Sequence, residues 1–511
     1  MHLLVISLLS LFVSLALLIV GNSFLITLLG LRFSLLGIEP SIIGVVMVCY
    51  SAGFAVGSLY ADRVVRRVGH IRAFAVFAAL AAMASLIYPM TYNVWHWGIL
   101  RGLGGLSIAA LFVTIESWFS AVATNANRSK IFSVYQIAAY LASASGQLLV
   151  GLGNPIHYAL FSLAALFIVA AIIPLSLSRM QSPEISESTQ RMSLLTLVRL
   201  APIGVTAAFG SGILLGSFFS LVPLFASQTG LETAQISYYM FGAIFTAMLF
   251  AWPIGWICDR FHRSSVLMTI AVLAGIASLG NMFLVDFDFV PRLVVLCLYM
   301  GLASTVYSIA VAITNDMMDS SQIMAASSGL LLSYGLGSVA GPLLSSSLME
   351  LLGPASLFQL QALVLALLAS FTLYRRRQVA PMPVAAQEHY IPSIPESPVI
   401  PDIDPRHDGF VETPLTDLFP TTEEGAEPGD EGELMPDTEA KPAFEPGNEG
   451  ELMPEAGEVQ TTTEASENSE AESDSAVNND AAESDQQPDL PQEKQEEPKP
   501  SDPTDQTPKG N

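Results

Sequence analysis

Runs of about twenty apolar residues follow one another through residues 1–377, and a chain built this way has few folding options. About 20 residues at 1.5 Å rise cross a ~30 Å hydrocarbon core, where every backbone N–H and C=O must find its partner within the protein. Helices meet that demand locally, so the pattern predicts an all-α integral membrane protein. Candidate spans lie at 5–31, 40–61, 72–92, 95–119, 131–153, 157–178, 200–227, 234–257, 265–285, 291–315, 324–350 and 355–374. These are twelve transmembrane helices in two six-helix halves, 1–178 and 200–377, joined by a polar loop at 179–199. The start, Met1-His2-Leu3-Leu4, has no basic region, and the apolar run continues past Asn22, as expected of a retained first span.

Basic residues orient the spans, because they collect in cytoplasmic loops. With the N-terminus inside, the cytoplasmic side carries Arg63, Arg66, Arg67, Arg72, Arg128, Lys130, Arg179, Arg191, Arg199, Arg260, Arg263, Arg375, Arg376 and Arg377. The opposite side carries Arg32 and Arg292. Both termini and the central loop are therefore expected in the cytoplasm of a multi-pass inner (plasma) membrane protein in contact with the bilayer.

Charge is strongly segregated. Residues 1–377 hold 17 Lys+Arg against 12 Asp+Glu, a net of +5; residues 378–511 hold 5 against 34, a net of −29. The overall −24 thus describes the tail and excludes a basic nucleic-acid binder. Twenty of the 31 prolines fall in 378–511, among Glu, Ser, Asp, Thr and Gln. Such a composition cannot bury enough apolar surface to offset ordering entropy, and a disordered acidic, Pro-rich cytoplasmic tail is expected. Inside it EPGDEGELMP (427–436) recurs as EPGNEGELMP (445–454), and the tail could dock a cytoplasmic protein partner.

The body also repeats. Gly37-Ile38-Glu39 before the second span recurs as Gly230-Leu231-Glu232 before the eighth, and Asp62-Arg63 recurs as Asp259-Arg260. Gly102-Leu103 recurs as Gly301-Leu302, so the offsets of 193 to 199 residues fit a duplicated six-helix unit.

The clearest local motif is Gly255-Trp256-Ile257-Cys258-Asp259-Arg260-Phe261-His262-Arg263. With twelve spans and a 6+6 repeat, it resembles the loop signature of the major facilitator superfamily, matching at Gly255, Asp259, Arg260 and Arg263. The first-half copy around Asp62 and Arg63 is irregular, with Gly57 five residues before the Asp and a later glycine at Gly69. The resemblance implies that this cluster latches the cytoplasmic halves together in the outward-open state; a plain topological anchor is the alternative. Arg101-Gly102-Leu103-Gly104-Gly105 resembles the family's fourth-helix Arg motif. Gly337-Ser338-Val339-Ala340-Gly341-Pro342 resembles its antiporter motif but lies in the opposite half, where close helix packing accounts for it. Phrases such as GSFFSLVPLF and WPIGWICDRF are similar to the bacterial YcaD-like branch.

Charges inside spans are few, and each is a functional candidate. Arg101 and Glu116 share the fourth span, fifteen residues and about 22 Å apart, too far to pair. By resemblance, helices 1, 4, 7 and 10 line a central cavity, which makes both cavity candidates. Arg101 could neutralise an anionic substrate group or bond backbone carbonyls. Glu116 could carry a proton or pair with a loop arginine. Asn22, Gln136 and Asn315 complete the set of candidate substrate- or ion-binding residues.

No nucleotide-binding loop, nucleophile elbow or HExxH motif is present, and Cys49, Cys258 and Cys297 are isolated thiols without metal spacing. No enzyme, cofactor or metal site is expected. The expectation is a secondary active transporter of a small solute working by alternating access, proton-coupled, with efflux favoured over uptake. The alternative is a transporter-like sensor or scaffold that recruits a partner through its tail.

Overall fold

The computed structural model describes residues 2–124, 127–177, 192–319, 322–379, 382–387 and 390–392. In chain order the helices are α1 (His2–Leu35), α2 (Pro40–Val68), α3 (His70–Ile87), α4 (Val94–Val122), α5 (Arg128–Leu148), α6 (Tyr158–Ala170) and α7 (Ile172–Ser176). They continue with α8 (Leu194–Leu200), α9 (Pro202–Gln228), α10 (Thr233–Cys258), α11 (Arg263–Phe283), α12 (Phe289–Ala303), α13 (Thr305–Asn315), α14 (Ile323–Leu352) and α15 (Ser356–Gln378). Among the described residues ten segments are long and apolar enough to cross a membrane. α5 and α14 also have crossing length, 21 and 30 residues. Each of the twelve expected spans thus coincides with a helix or a helix pair. Arg179, Arg191 and the repeated decapeptides of the tail lie outside the described residues.

Two spans are broken for local reasons. α6 gives way to α7 where Pro174, lacking an N–H, cannot bond the carbonyl of Ala170. α12 gives way to α13 at Ser304, where hydroxyls compete for the backbone: Ser304 Oγ donates to Gly301 O at 3.2 Å and Thr305 Oγ1 to Leu302 O at 2.8 Å. The second span runs to Val68 rather than ending near residue 61. No breaker intervenes before Gly69, and Arg66 and Arg67 in the last turn complement the helix dipole. Asp62, Arg63, Arg66 and Arg67 therefore sit on a helical extension, not in a loop.

The repeat is visible in the backbone. Gly37 and Gly230 both take left-handed φ, +68° and +83°. Each ends a helix with the same pair of hydrogen bonds: Gly37 N to Ser34 O and Ile38 N to Phe33 O, then Gly230 N to Ser227 O and Leu231 N to Ala226 O. The two helix ends touch, for Ser34 Oγ donates to Ser227 Oγ at 2.9 Å. Further contacts join the halves at this same end. Ser41 N donates to Glu350 Oε2 at 3.2 Å, and Ser237 Oγ to Gln147 O at 2.8 Å. The other end carries the arginines of α2, α11 and α15, and Arg260 in the turn between α10 and α11.

Helices approach closely wherever small residues face each other. A Cβ on Gly53 would lie 2.0 Å from Gly102 O, and one on Gly105 would lie 2.1 Å from Tyr50 O, so α2 and α4 are in backbone contact. α14 meets α9 likewise: Cβ atoms on Gly337 and Gly341 would fall 2.1 Å from Phe209 O and 2.5 Å from Ile213 O. The Gly337–Pro342 motif is thus a packing surface against α9.

Gly335 has open space where its Cβ would be, two residues from Gly337. Gly337→Ala should lower the thermal midpoint of the detergent-purified protein, the overpacking costing about 1–3 kcal/mol. Gly335→Ala should leave it unchanged or raise it, by up to ~1 kcal/mol of helix propensity. Equal shifts for the two would contradict the packing described.

Candidate functional site: a cavity between the halves and the arginine-rich end

A cavity of about 820 Å3, its mouth included, lies between α1, α4 and α5 of the first half and α9, α10, α12 and α14 of the second. Its walls are mostly apolar and aromatic, Phe112, Tyr140, Phe219, Met300 and Tyr334 among them. Asn22, Ser23, Ser143 and Ser304 add uncharged polar groups. The break at Ser304 contributes directly, since it places a hydroxyl residue on the cavity wall.

Asn22 is the wall shared with a second, much smaller pocket that reaches Tyr50, Tyr88 and Arg101. Asn22 Nδ2 donates to Tyr50 Oη at 3.1 Å, and the Arg101 guanidinium lies 4.5 Å from the centre of the Tyr50 ring. Arg101 is buried, so the ring face and neighbouring polar groups carry its charge. Nε of Arg101 has no hydrogen-bond partner among the described residues. Arg101 therefore stands one layer behind the cavity, connected to it through Tyr50 and Asn22.

Glu116 is fully buried in α4, where its Oε1 accepts a 2.5 Å hydrogen bond from Tyr135 Oη of α5. Tyr135 itself lines the cavity and is fixed edge-on against Phe119, ring centres 5.5 Å apart. A continuous polar path thus leads from the cavity wall to a carboxyl group held away from water.

At the arginine-rich end, α10 stops at Cys258 and Asp259 caps it. An acid at a helix C-terminus opposes the dipole and needs compensation. It comes from Arg263, whose Nη2 lies 3.9 Å from Asp259 Oδ1, and from the backbone N–H of Tyr390, 2.7 Å away. Arg263 is almost fully buried and also binds Asp316 and Ala312 O, tying α11 to the end of α13. Arg260 stacks at 3.8 Å from the Trp256 ring, and Arg63 at 4.9 Å from that of Tyr60.

The expected candidates thus separate into three places. Asn22 is on the cavity wall, and Glu116 and Arg101 each connect to it through one tyrosine or a tyrosine–asparagine pair. Gln136 lies toward the arginine-rich end of α5, where Nε2 donates to Pro392 O at 3.1 Å. Asn315 is buried beside Asp316, and neither its Oδ1 nor its Nδ2 has a hydrogen-bond partner among the described residues. Gly255, Asp259, Arg260 and Arg263 form one cluster, and in it Asp316 is a member the sequence pattern did not single out. Tyr50 and Tyr390 are also new. No spacing rule marks a tyrosine that meets an arginine from another helix, or one that folds back from beyond the last span.

Comparison with known proteins gives a consistent picture. The family model described as Major Facilitator Superfamily matches residues 8–305 and 235–419. An uncharacterized MFS-type transporter of Yersinia enterocolitica is 29% identical over 348 residues, covering 67% of this chain and 88% of its own. The uncharacterized MFS-type transporter YcaD of Escherichia coli is 30% identical over 347 residues, with the same coverage. Among solved structures, the nucleoside transporter NupG superposes with a TM-score of 0.56 at 16% identity, covering 73% of this chain and 99% of its own. A bacterial homolog of the human lysosomal transporter Spinster, in an inward-facing and occupied conformation, gives 0.61 at 12% identity, covering 75% and 97%. At such identities the structural likeness speaks for the fold alone.

The Arg263–Asp316 pair yields a direct test. Asp316→Asn should leave the buried Arg263 with only the more distant Asp259 carboxylate and cost up to about 3 kcal/mol, read as a lower thermal midpoint. The double change Arg263→Met/Asp316→Leu should recover most of that loss.

Proposed function

The chain belongs to the Major Facilitator Superfamily and is a secondary transporter, not an enzyme; from that premise we propose that it moves a small amphipathic solute by alternating access, coupled to protons. The reading is of a multi-pass protein of the bacterial inner membrane with both termini in the cytoplasm. The arginine-rich end is then the cytoplasmic end. The state described is closed at the opposite end by the Ser34–Ser227, Ser41–Glu350 and Ser237–Gln147 contacts.

One observation carries the coupling: the polar path from the cavity through Tyr135 to Glu116. A hydrogen-bonded tyrosine at the cavity wall gives a proton a route between the cavity and the Glu116 carboxyl. The same cavity argues for the substrate class. Aromatic and aliphatic walls with isolated amide and hydroxyl groups suit a solute with an apolar body and a few polar atoms. Arg101, reached through Asn22 and Tyr50, favours a neutral or anionic group over a cation. Export of such compounds is the direction this wall chemistry fits best. The reading assigns Asp62, Arg63, Gly255, Asp259, Arg260 and Arg263 to the contacts that form when the cytoplasmic end closes, with Gln136 and Asn315 beside them.

Metabolite and drug-susceptibility profiling of a deletion strain identifies the solute. In proteoliposomes, Glu116→Gln should then abolish transport driven by a pH gradient while solute exchange without a gradient persists. Tyr135→Phe should slow the driven mode and spare exchange. A pH dependence that survives Glu116→Gln would remove that residue from coupling.

A further inference from the structure

The chain does not leave the body at the end of α15. Residues 382–387, with a single 3-10 turn at Val384–Ala386, and residues 390–392 lie back against it. His262 Nδ1 meets Met382 O at 3.0 Å at the start of this segment. The stronger attachments come at 390–392. Tyr390 N–H donates to Asp259 Oδ1 at 2.7 Å, and Pro392 O accepts from Gln136 Nε2 at 3.1 Å. Asp259 belongs to the second half and Gln136 to the first. The side chains divide in a similar way: Tyr390 packs against Gly255 of α10 within a core cluster drawn from both halves, and Ile391 packs against a cluster drawn from the first half.

The Tyr390 ring is deeply inserted. It is 9% exposed, and it lies so close to α10 that a Cβ on Gly255 would fall 2.7 Å from its Cδ1. Its phenol approaches Ser308 of α13 and Tyr140 of the cavity wall, and burial keeps it neutral by pushing its pKa far above the ordinary value. Residues 390–392 are therefore held by both halves, through Asp259 and Gln136, and reach the cavity-lining Tyr140.

We propose that Tyr390, Ile391 and Pro392 form an intramolecular plug that holds the transporter open toward the cytoplasm and must withdraw before that end can close. The inference rests on the alternating-access reading above and adds its regulation. Closing the cytoplasmic end brings α5 and α10 together across the space these residues fill. A close-packed interior cannot absorb a tyrosine by compression, so closure and occupancy exclude each other. The plug also takes up the Asp259 carboxylate at the place where the closing contacts form. A short connection from Gln378 keeps the plug at high effective concentration, so modest contacts suffice for it to be seated most of the time. The site is selective as well. It takes a segment in which an aromatic residue whose N–H donates to Asp259 is followed by an aliphatic one and then by a residue whose backbone can only accept.

The test reads the opposite end. Ser34→Cys/Ser227→Cys in the full chain forms a disulfide when that end is closed, since the parent hydroxyls are 2.9 Å apart; peptide mapping distinguishes it from the native thiols. Tyr390→Ala/Ile391→Ala should slow its formation about three- to tenfold, as the closed population at that end falls. A chain truncated after Pro392 should form the disulfide at the full-length rate. Gly44→Trp serves as the reference, because even a Cβ there would lie 2.0 Å from Ser346 Oγ and the indole would wedge α2 from α14. If the wedge slows the reaction and the alanine pair does not, the plug is overturned and alternating access stands. If the wedge also has no effect, alternating access falls and the plug with it. If truncation after Pro392 slows the reaction as much as the alanine pair, the effect belongs to the distal tail and the assignment to 390–392 is wrong.

Discussion

Hydrocarbon offers apolar side chains no reason to leave it for one another, so helices in a bilayer are held by closeness of packing and by the polar groups they share. The rest of this structure depends on that constraint. Where α2 meets α4 and α9 meets α14, glycines let backbone touch backbone, and a single methyl group would have nowhere to go at Gly53, Gly105, Gly212 or Gly337. Once those pairs are fixed, the remaining space between the halves is fixed too. The cavity is what the glycine-lined pairs leave unfilled, and its wall carries hydroxyls and an amide of its own.

Polar groups then do two different things. Near the cavity they are connected in short relays, Asn22–Tyr50–Arg101 and Tyr135–Glu116, each joining the wall to a charge one layer back. At the arginine-rich end they form a compact electrostatic knot in which Arg263 binds Asp316 and Asp259, reinforced by a backbone amide from beyond the last span. Each relay crosses from one helix to another and has one member on the cavity wall. In the knot a buried guanidinium is held by two carboxylates, and losing both would leave its charge uncompensated.

Much of this was legible in the sequence, and unevenly. Helix count, the 6+6 repeat and the position of every span follow from hydropathy and from glycines such as Gly37 and Gly230, because lipid enforces them residue by residue. The Asp259–Arg263 cluster is legible because its members are adjacent in sequence. Its partner Asp316 is not, for it comes from a helix 53 residues away and is recognisable only when α11 and α13 are placed side by side. The helical run through Asp62 to Val68 was missed because positive charges read as a loop, although no residue there breaks a helix. The insertion of Tyr390 was invisible for a deeper reason. Composition predicts how a segment behaves on average, and a three-residue anchor at the start of a long acidic tail hardly changes that average.

The contact between Ser34 and Ser227 joins the same position of the two repeats. A surface that meets its own copy across an axis is isologous, the kind of patch by which two identical chains form a symmetric dimer. The ancestral six-helix unit would therefore have carried a self-complementary end before any fusion, and each change there would have been felt twice. Fusion onto one chain lifted that restriction. Gly44 and Ser237, at matching positions beside the seam, already differ, and Asp62 within a helix contrasts with Asp259 at a helix end. An appendage that makes different contacts with each copy, as Tyr390 does with Asp259 and Pro392 with Gln136, can arise only after such divergence, and only once the two copies share a single C-terminus.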